Sequence, residues 1–171
     1  MVLVGLPGAG KTTVAHLVAA HTGRTAVDID AEIARRDGRT IAQIFSESGE
    51  DAFRSMEAAI TRSLIDAPPA IVATGGGWVT RPQTVALIRS RTKLVWLRVS
   101  PPAALSRLGG NRSDRPLLMK GDPEVVLAEL LANRESAYAL ADVAINTEVL
   151  TLQELVFQVA QLASFWGGGV G

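Results

Sequence analysis

Gly5-Leu6-Pro7-Gly8-Ala9-Gly10-Lys11-Thr12, followed by Thr13, comes directly after the short apolar run Val2-Leu3-Val4 and before an amphipathic stretch. It fits G-x-x-x-x-G-K-[ST] at every fixed position. The order strand, glycine loop, helix separates a phosphate-binding loop from a glycine-rich turn. Glycines at 5, 8 and 10 let the backbone bend so that successive N–H groups point inward at phosphate oxygens. A helix beginning near Lys11 adds the positive end of its dipole. The nucleotide-binding candidates are therefore Gly8, Ala9, Gly10, Lys11, Thr12 and Thr13. Lys11 is placed to reach the β- and γ-phosphates of a nucleotide such as ATP, and the Thr12 hydroxyl to ligate Mg2+.

The 171 residues suit one domain, 1–171, with a substantial core and room for one insertion such as a lid. Hydrophobic residues at 47% against charged residues at 20% give an ordinary globular balance, so disorder is not expected. Lys plus Arg and Asp plus Glu are both 17, which argues against a surface field that gathers nucleic acid or anionic lipid. The absence of cysteine rules out disulfides and thiolate chemistry. No long uninterrupted apolar run or signal peptide is read, so a soluble cytoplasmic monomer is expected.

Outward from the loop, Val14, Leu17 and Val18 recur at helical spacing until Gly23, with His16 and His21 as bland surface positions. Arg24 to Asp28 reads as a strand running out through Ile29 and Asp30, and Glu32 to Asp37 as a helix stopped by Gly38. Thr40 caps a short helix that Gly49 ends, and Phe53, Met56, Ile60 and Leu64 mark one face of a longer one. Ala70-Ile71-Val72-Ala73 is a buried strand that empties into Gly75-Gly76-Gly77. Thr80 and Pro82 open a further helix, Lys93 to Val99 is a strand, and Ser100 caps a helix ending near Gly109-Gly110. Residues 111–121 lack a period and read as a mobile loop, after which Asp122-Pro123 starts a long helix. Val143 to Asn146 is the last strand, Thr151 caps a helix to about Ser164, and the tail from Phe165 is expected to fray. Five strands alternating with helices imply an α/β fold, a five-stranded parallel sheet with helices on both faces and ligands at the strands' carboxyl ends.

A phosphate loop names a ligand but not a reaction. The third strand ends in Thr74-Gly75 without an acid, so Asp28 is the residue best placed to serve the metal. In extended backbone, Asp28 and Asp30 project to the same side, one toward the metal and the other toward a substrate hydroxyl. Asp30 could equally cap the helix beginning near Ala31. Bare N–H groups at Gly76 and Gly77 suit an anion, or form a plain tight turn. Arg54 and Arg134 read as solvated charges in isolation, and Arg115 as an arginine finger or a surface charge.

Taken together, the phosphate loop, Asp28-x-Asp30, Phe53-Arg54 with Glu57, the triple glycine, Gly109-Gly110-Asn111, Arg115-Pro116-Leu117-Leu118 and Arg134 before Tyr138 resemble the shikimate kinase family. The likeness runs from about Val2 to Thr147. It implies a P-loop kinase that uses ATP and Mg2+ to phosphorylate the 3-hydroxyl of shikimate, a step toward chorismate and the aromatic amino acids. It further implies that Arg54 and Arg134, with the backbone of Gly76 and Gly77, grip the substrate carboxylate. Asp30 accepts from the attacking hydroxyl, and Asp28 holds a metal-bound water. Lys11 and Arg115 neutralise the transferring phosphoryl group, Arg107 lies against the adenine, and Glu57 steadies the substrate helix through Arg54. The loop 111–121 is then a lid.

Departures from the family pattern are Trp78, which either lines the substrate site or packs, Ala73, a minimal first strand, and the lid charges Arg112 and Asp114. The rival readings are a gluconate or nucleoside monophosphate kinase, or a non-catalytic nucleotide-binding regulator. Intact Lys11, Thr12, Asp28, Asp30 and Arg115 argue against the regulator.

Overall fold

The structure, a computed structural model, describes residues 1–109 and 121–167. A five-stranded parallel sheet carries β1 (Val2–Val4), β2 (Thr25–Asp28), β3 (Ala70–Ala73), β4 (Leu94–Arg98) and β5 (Val143–Asn146) in the order β2-β3-β1-β4-β5. The helices are α1 (Lys11–Thr22), α2 (Ile29–Asp37), α3 (Ile41–Ser63), α4 (Pro82–Arg89), α5 (Pro101–Leu108), α6 (Pro123–Tyr138) and α7 (Leu152–Gly167). Right-handed crossovers dictate where they lie. The chain moves one way along the sheet from β1 to β2 and the other way for every later strand, which puts α1 on one face and α3, α4 and α6 on the other. The last helix returns to pack on α1.

Strand β1 sits between β3 and β4, in register Val2 to Val72 and Val2 to Leu94. Its three side chains are at most 1% exposed, each contributing roughly 1.5–3 kcal/mol by leaving water. Three residues therefore suffice for a strand that is enclosed on every side.

The capping signals act as read. Thr40 and Gln43 form a reciprocal capping box, and Gly49 at φ 81 breaks α3 into the two expected segments. Thr151 Oγ1 accepts from the Glu154 N–H while Glu154 returns a bond to the Thr151 N–H.

Two expectations change, and others lie outside the described residues. The second strand stops at Asp28, and Ile29 and Asp30 already belong to α2, so the two aspartates do not share an extended segment. The reason is a cap: Asp28 Oδ1 accepts from the Ala31 N–H at 3.1 Å, so Asp28 caps α2 and Asp30 lies in its first turn. The last helix runs to Gly167 rather than Ser164, with Trp166 packed against the core. Residues 168–171 of the tail, and the lid expectation with Arg112, Asp114 and Arg115, lie outside the described residues apart from Gly121. No described helix is long and apolar enough to cross a membrane.

Asp142 ties the start of β4 to the segment leading into β5, accepting from Arg89 at 2.6 Å, the Leu94 N–H at 2.8 Å and Lys93 at 3.3 Å. Burial works to raise its pKa, but these donors outweigh burial and bring it down to about 2. A carboxyl with a lowered folded pKa gives stability that is present above its ordinary value of 3.8 and lost as pH falls toward 2. Asp142→Asn is expected to cost about 1 kcal/mol at neutral pH, after discounting for solvent, and less in acid. Urea melts at several pH values check this, and a pH-independent difference would contradict it.

Candidate active site

Loops leaving the carboxyl ends of β1, β2 and β3 meet around the glycine loop. Gly5 and Gly8 are pinned there by close approach as well as by positive φ. A methyl group on Gly5 would stand 2.5 Å from the Leu97 carbonyl oxygen, and one on Gly8 would stand 2.4 Å from that of Ala104. Lys11 is 8% exposed, and its ammonium donates to the Gly5 and Leu6 carbonyls at 2.8 and 2.9 Å. It is thereby held inside the loop that it closes. Thr12 Oγ1 donates to Asp28 Oδ2 at 2.6 Å. One hydroxyl and one carboxylate beside a phosphate loop suit Mg2+, which keeps most of its shell as water and phosphate oxygens. Among the described residues there is no cluster of three or more His, Cys, Asp or Glu fit to cage an ion alone.

A cleft of about 600 Å³ continues from Gly8 to Val14 toward Arg107, Thr147 and Leu155. Arg107 is fixed at its far end, donating through Nη1 to Thr147 Oγ1 at 2.7 Å and through Nη2 to the Thr147 carbonyl at 2.8 Å. Its guanidinium plane is thus oriented by the turn after β5.

The triple glycine is the junction of the other half. A methyl on Gly75 would stand 2.9 Å from Asp30 Oδ1 and 3.3 Å from Glu57 Oε1. One on Gly76 would stand 3.0 Å from Arg134 Nη1 and 3.2 Å from Pro7 Cδ, and one on Gly77 would stand 2.9 Å from Arg54 Nη2. Each glycine admits a different functional side chain to the backbone, and Pro7 joins this cluster to the phosphate loop. Asp30, Arg54 and Arg134, from three helices, therefore converge on three successive glycines.

The supporting contacts are specific. Arg54 Nη1 donates to Glu57 Oε2 at 2.7 Å. Burial opposes the Arg54 charge, yet the carboxylates of Glu57 and Glu50 outweigh it and hold its pKa above the ordinary value. Burial pushes the Glu57 carboxyl up; Arg54 pulls against that, and the charge of Asp30 adds to the rise. Glu57 Oε1 is buried without a hydrogen-bond partner, while Oε2 accepts from Arg54. The Tyr138 hydroxyl, one turn beyond Arg134, donates to the Gly76 carbonyl at 2.8 Å, and its ring stacks on Trp96 with centroids 5.5 Å apart. Trp78 packs rather than lining the site. It is fully buried, and its Nε1 donates to Thr61 Oγ1 at 2.9 Å.

Sequence reading passed over Glu50, Arg81 and the positioning role of Tyr138. The spacing of Glu50 four residues before Arg54 is a helix ion-pair signal. Nothing local marks Arg81, which reaches Glu50 from 31 residues away.

Comparison with known proteins gives this arrangement a family. The family model for shikimate kinase matches residues 7–163. The chain is 37% identical over 156 residues to the shikimate kinase of Pelotomaculum thermopropionicum, covering 91% of this chain and 90% of that one. It is 41% identical over 160 residues to that of Geobacter sulfurreducens, covering 94% and 88%. The structure of the Acinetobacter baumannii shikimate kinase in complex with shikimate superimposes with a TM-score of 0.89 at 33% identity, covering 99% of this chain and 94% of that one. A gluconokinase from Sinorhizobium meliloti, at 20% identity and a TM-score of 0.62 over 99% of this chain and 96% of that one, shares the fold alone. With the phosphate loop, the aspartates and the arginine-flanked glycines in place, the chain belongs to the shikimate kinase family of ATP-dependent phosphotransferases.

Proposed function

We propose that this chain transfers the γ-phosphoryl group of ATP to the 3-hydroxyl of shikimate, giving shikimate 3-phosphate and ADP. The observation that carries the reading is the order of contacts along the triple glycine, with Asp30 at Gly75, Arg134 at Gly76 and Arg54 at Gly77. Two guanidinium groups hold the acceptor carboxylate in a planar, forked geometry that lysine cannot supply. Backbone N–H groups of Gly76 and Gly77 complete that grip. Asp30 orients the attacking hydroxyl toward the nucleotide. Because the transition state is loose, placement matters more than early removal of the proton.

Lys11 leaves the loop carbonyls for the β- and γ-phosphates, and Arg107 flanks the adenine. In this reading Arg115 neutralises charge on the transferring phosphoryl group. Thr12 and Asp28 hold Mg2+, the Asp28 carboxylate through water, and the ion supplies charge to the phosphoryl oxygens. In this reading the protein acts as a monomer, in the cytoplasm, on shikimate and ATP.

Gluconate also carries a carboxylate, so the arginine pair by itself disfavours only neutral acceptors. A coupled ADP-release assay with ATP and Mg2+ discriminates. Turnover with shikimate well above that with gluconate or nucleoside monophosphates is expected, and preference for either rival would overturn the reading. Gly77→Ala, at an ordinary φ of −94, is expected to push the end of Arg54 aside. The KM for shikimate should rise about tenfold or more, with the melting temperature little changed. An unchanged KM would remove Arg54 from the acceptor site.

A further inference from the structure

Arg54 has both edges of its guanidinium occupied. Nη1 is on Glu57, whose side chain is 2% exposed. Nε and Nη2 both donate to one oxygen, Glu50 Oε1, at 3.1 and 3.0 Å. That same oxygen accepts from Arg81 Nη2 at 3.2 Å. The two carboxylates differ in how easily they leave. Glu57 is walled in beside Gly75, whereas the Glu50 side chain is 53% exposed and follows directly on Gly49, where α3 breaks. Nη2 is also the atom nearest Gly77, so the edge Glu50 covers is the one that faces the glycine segment.

We infer that Glu50 is a positioning and specificity-determining residue that occupies the acceptor-facing edge of Arg54 until an acceptor carboxylate displaces it onto Arg81. The inference rests on the reading that Arg54 binds the acceptor carboxylate.

Its physical content is competition. An incoming carboxylate must replace one already hydrogen-bonded to the same two N–H groups. The exchange is close to balanced for a ligand that touches Arg54 alone, because one ion pair replaces another of the same kind. It becomes favourable for a ligand whose second oxygen also reaches Arg134, and Glu50 loses little because Arg81 already holds it. Discrimination against anions that cannot engage both arginines follows from the occupied edge. Glu50 is the first residue after the break at Gly49, at the N-terminal end of the segment that carries Arg54 and Glu57, so its exposed side chain can turn from Arg54 to Arg81 without disturbing that helix.

The test is steady-state kinetics on Glu50→Gln, Arg81→Gln and the double variant, with shikimate varied at saturating ATP. Cyclohexene-1-carboxylate, which has the carboxylate and no hydroxyls, serves as competitive inhibitor. Glu50→Gln is expected to lower the KM for shikimate roughly two- to fivefold and to tighten the inhibitor, which presents the same carboxylate, by a similar factor, leaving the KM for ATP unchanged. Arg81→Gln, which leaves Glu50 wholly on Arg54, is expected to raise the KM for shikimate by a similar factor, and the double variant to match Glu50→Gln. A raised or unchanged shikimate KM in Glu50→Gln would mean that Glu50 merely braces Arg54, and would overturn the inference. So would a double variant that retains the full Arg81→Gln effect. Arg54→Gln separates the two levels. If it leaves the shikimate KM unchanged, the acceptor-site reading fails and takes the inference with it. If it raises that KM while Glu50→Gln does too, only the inference fails.

Discussion

Asp30→Asn is expected to reduce turnover about a hundredfold or more while leaving the KM for ATP within a factor of about two, as for loss of a positioned proton acceptor. The substitution keeps the shape of the side chain and removes the charge that orients the hydroxyl. The structure sharpens the experiment, because the competing explanation for such a loss was that Asp30 caps a helix. Asp28 performs that task, accepting from the Ala31 N–H, so Asp30→Asn leaves the cap intact. Asp30 also abuts Gly75, in the half of the site where Arg54 and Arg134 meet the glycines. Single-turnover phosphoryl transfer, with a thermal melt to confirm folding, is the measurement. Turnover within tenfold of the unchanged protein would remove Asp30 from the chemistry.

Arg134→Ala is expected to weaken acceptor binding by about 2–5 kcal/mol, the cost of stranding one partner of a buried charge pair. On the usual scale of 1.4 kcal/mol per tenfold, that is roughly thirtyfold to several thousandfold in Kd. Nucleotide affinity should hardly move, since Arg134 meets the site at Gly76 and Arg107 serves the far end of the nucleotide cleft. Calorimetric titration with shikimate and separately with ADP reads both. Arg134→Lys is expected to recover only part of the loss, because a point charge cannot make the forked contact. Equal losses for both ligands would point to a collapsed loop, with Tyr138 no longer holding the Gly76 carbonyl.

These expectations differ in how far the sequence alone carries them. The glycine loop needed no tertiary information, because its function is written in backbone freedom and one Lys-Thr pair within eight residues. The helix stops at Gly23, Gly38 and Gly49 were equally legible, since all three carry positive φ that L side chains avoid. Asp28 and Asp30 show where local reading fails. An aspartate at a strand end and one in a helix's first turn look alike in sequence, and the choice depends on which carboxylate reaches the Ala31 N–H. Trp78 is a similar case, its indole drawn into the core by Thr61, a hydroxyl seventeen residues earlier that no pattern connects to it.

The order of residues by itself determined the parallel sheet, the phosphate loop and the family, because periodicity, glycine placement and short motifs act over one or two turns of chain. Only the folded chain decided that Arg54 and Arg134 face adjacent glycines, that Arg54 and Arg81 share one carboxylate oxygen of Glu50, and that Asp28 is the cap. The first two are contacts between residues far apart in the chain, and the cap is a choice between two carboxylates that look alike in sequence. Those contacts exist once the sheet has fixed the ends of β1, β2 and β3 beside one another.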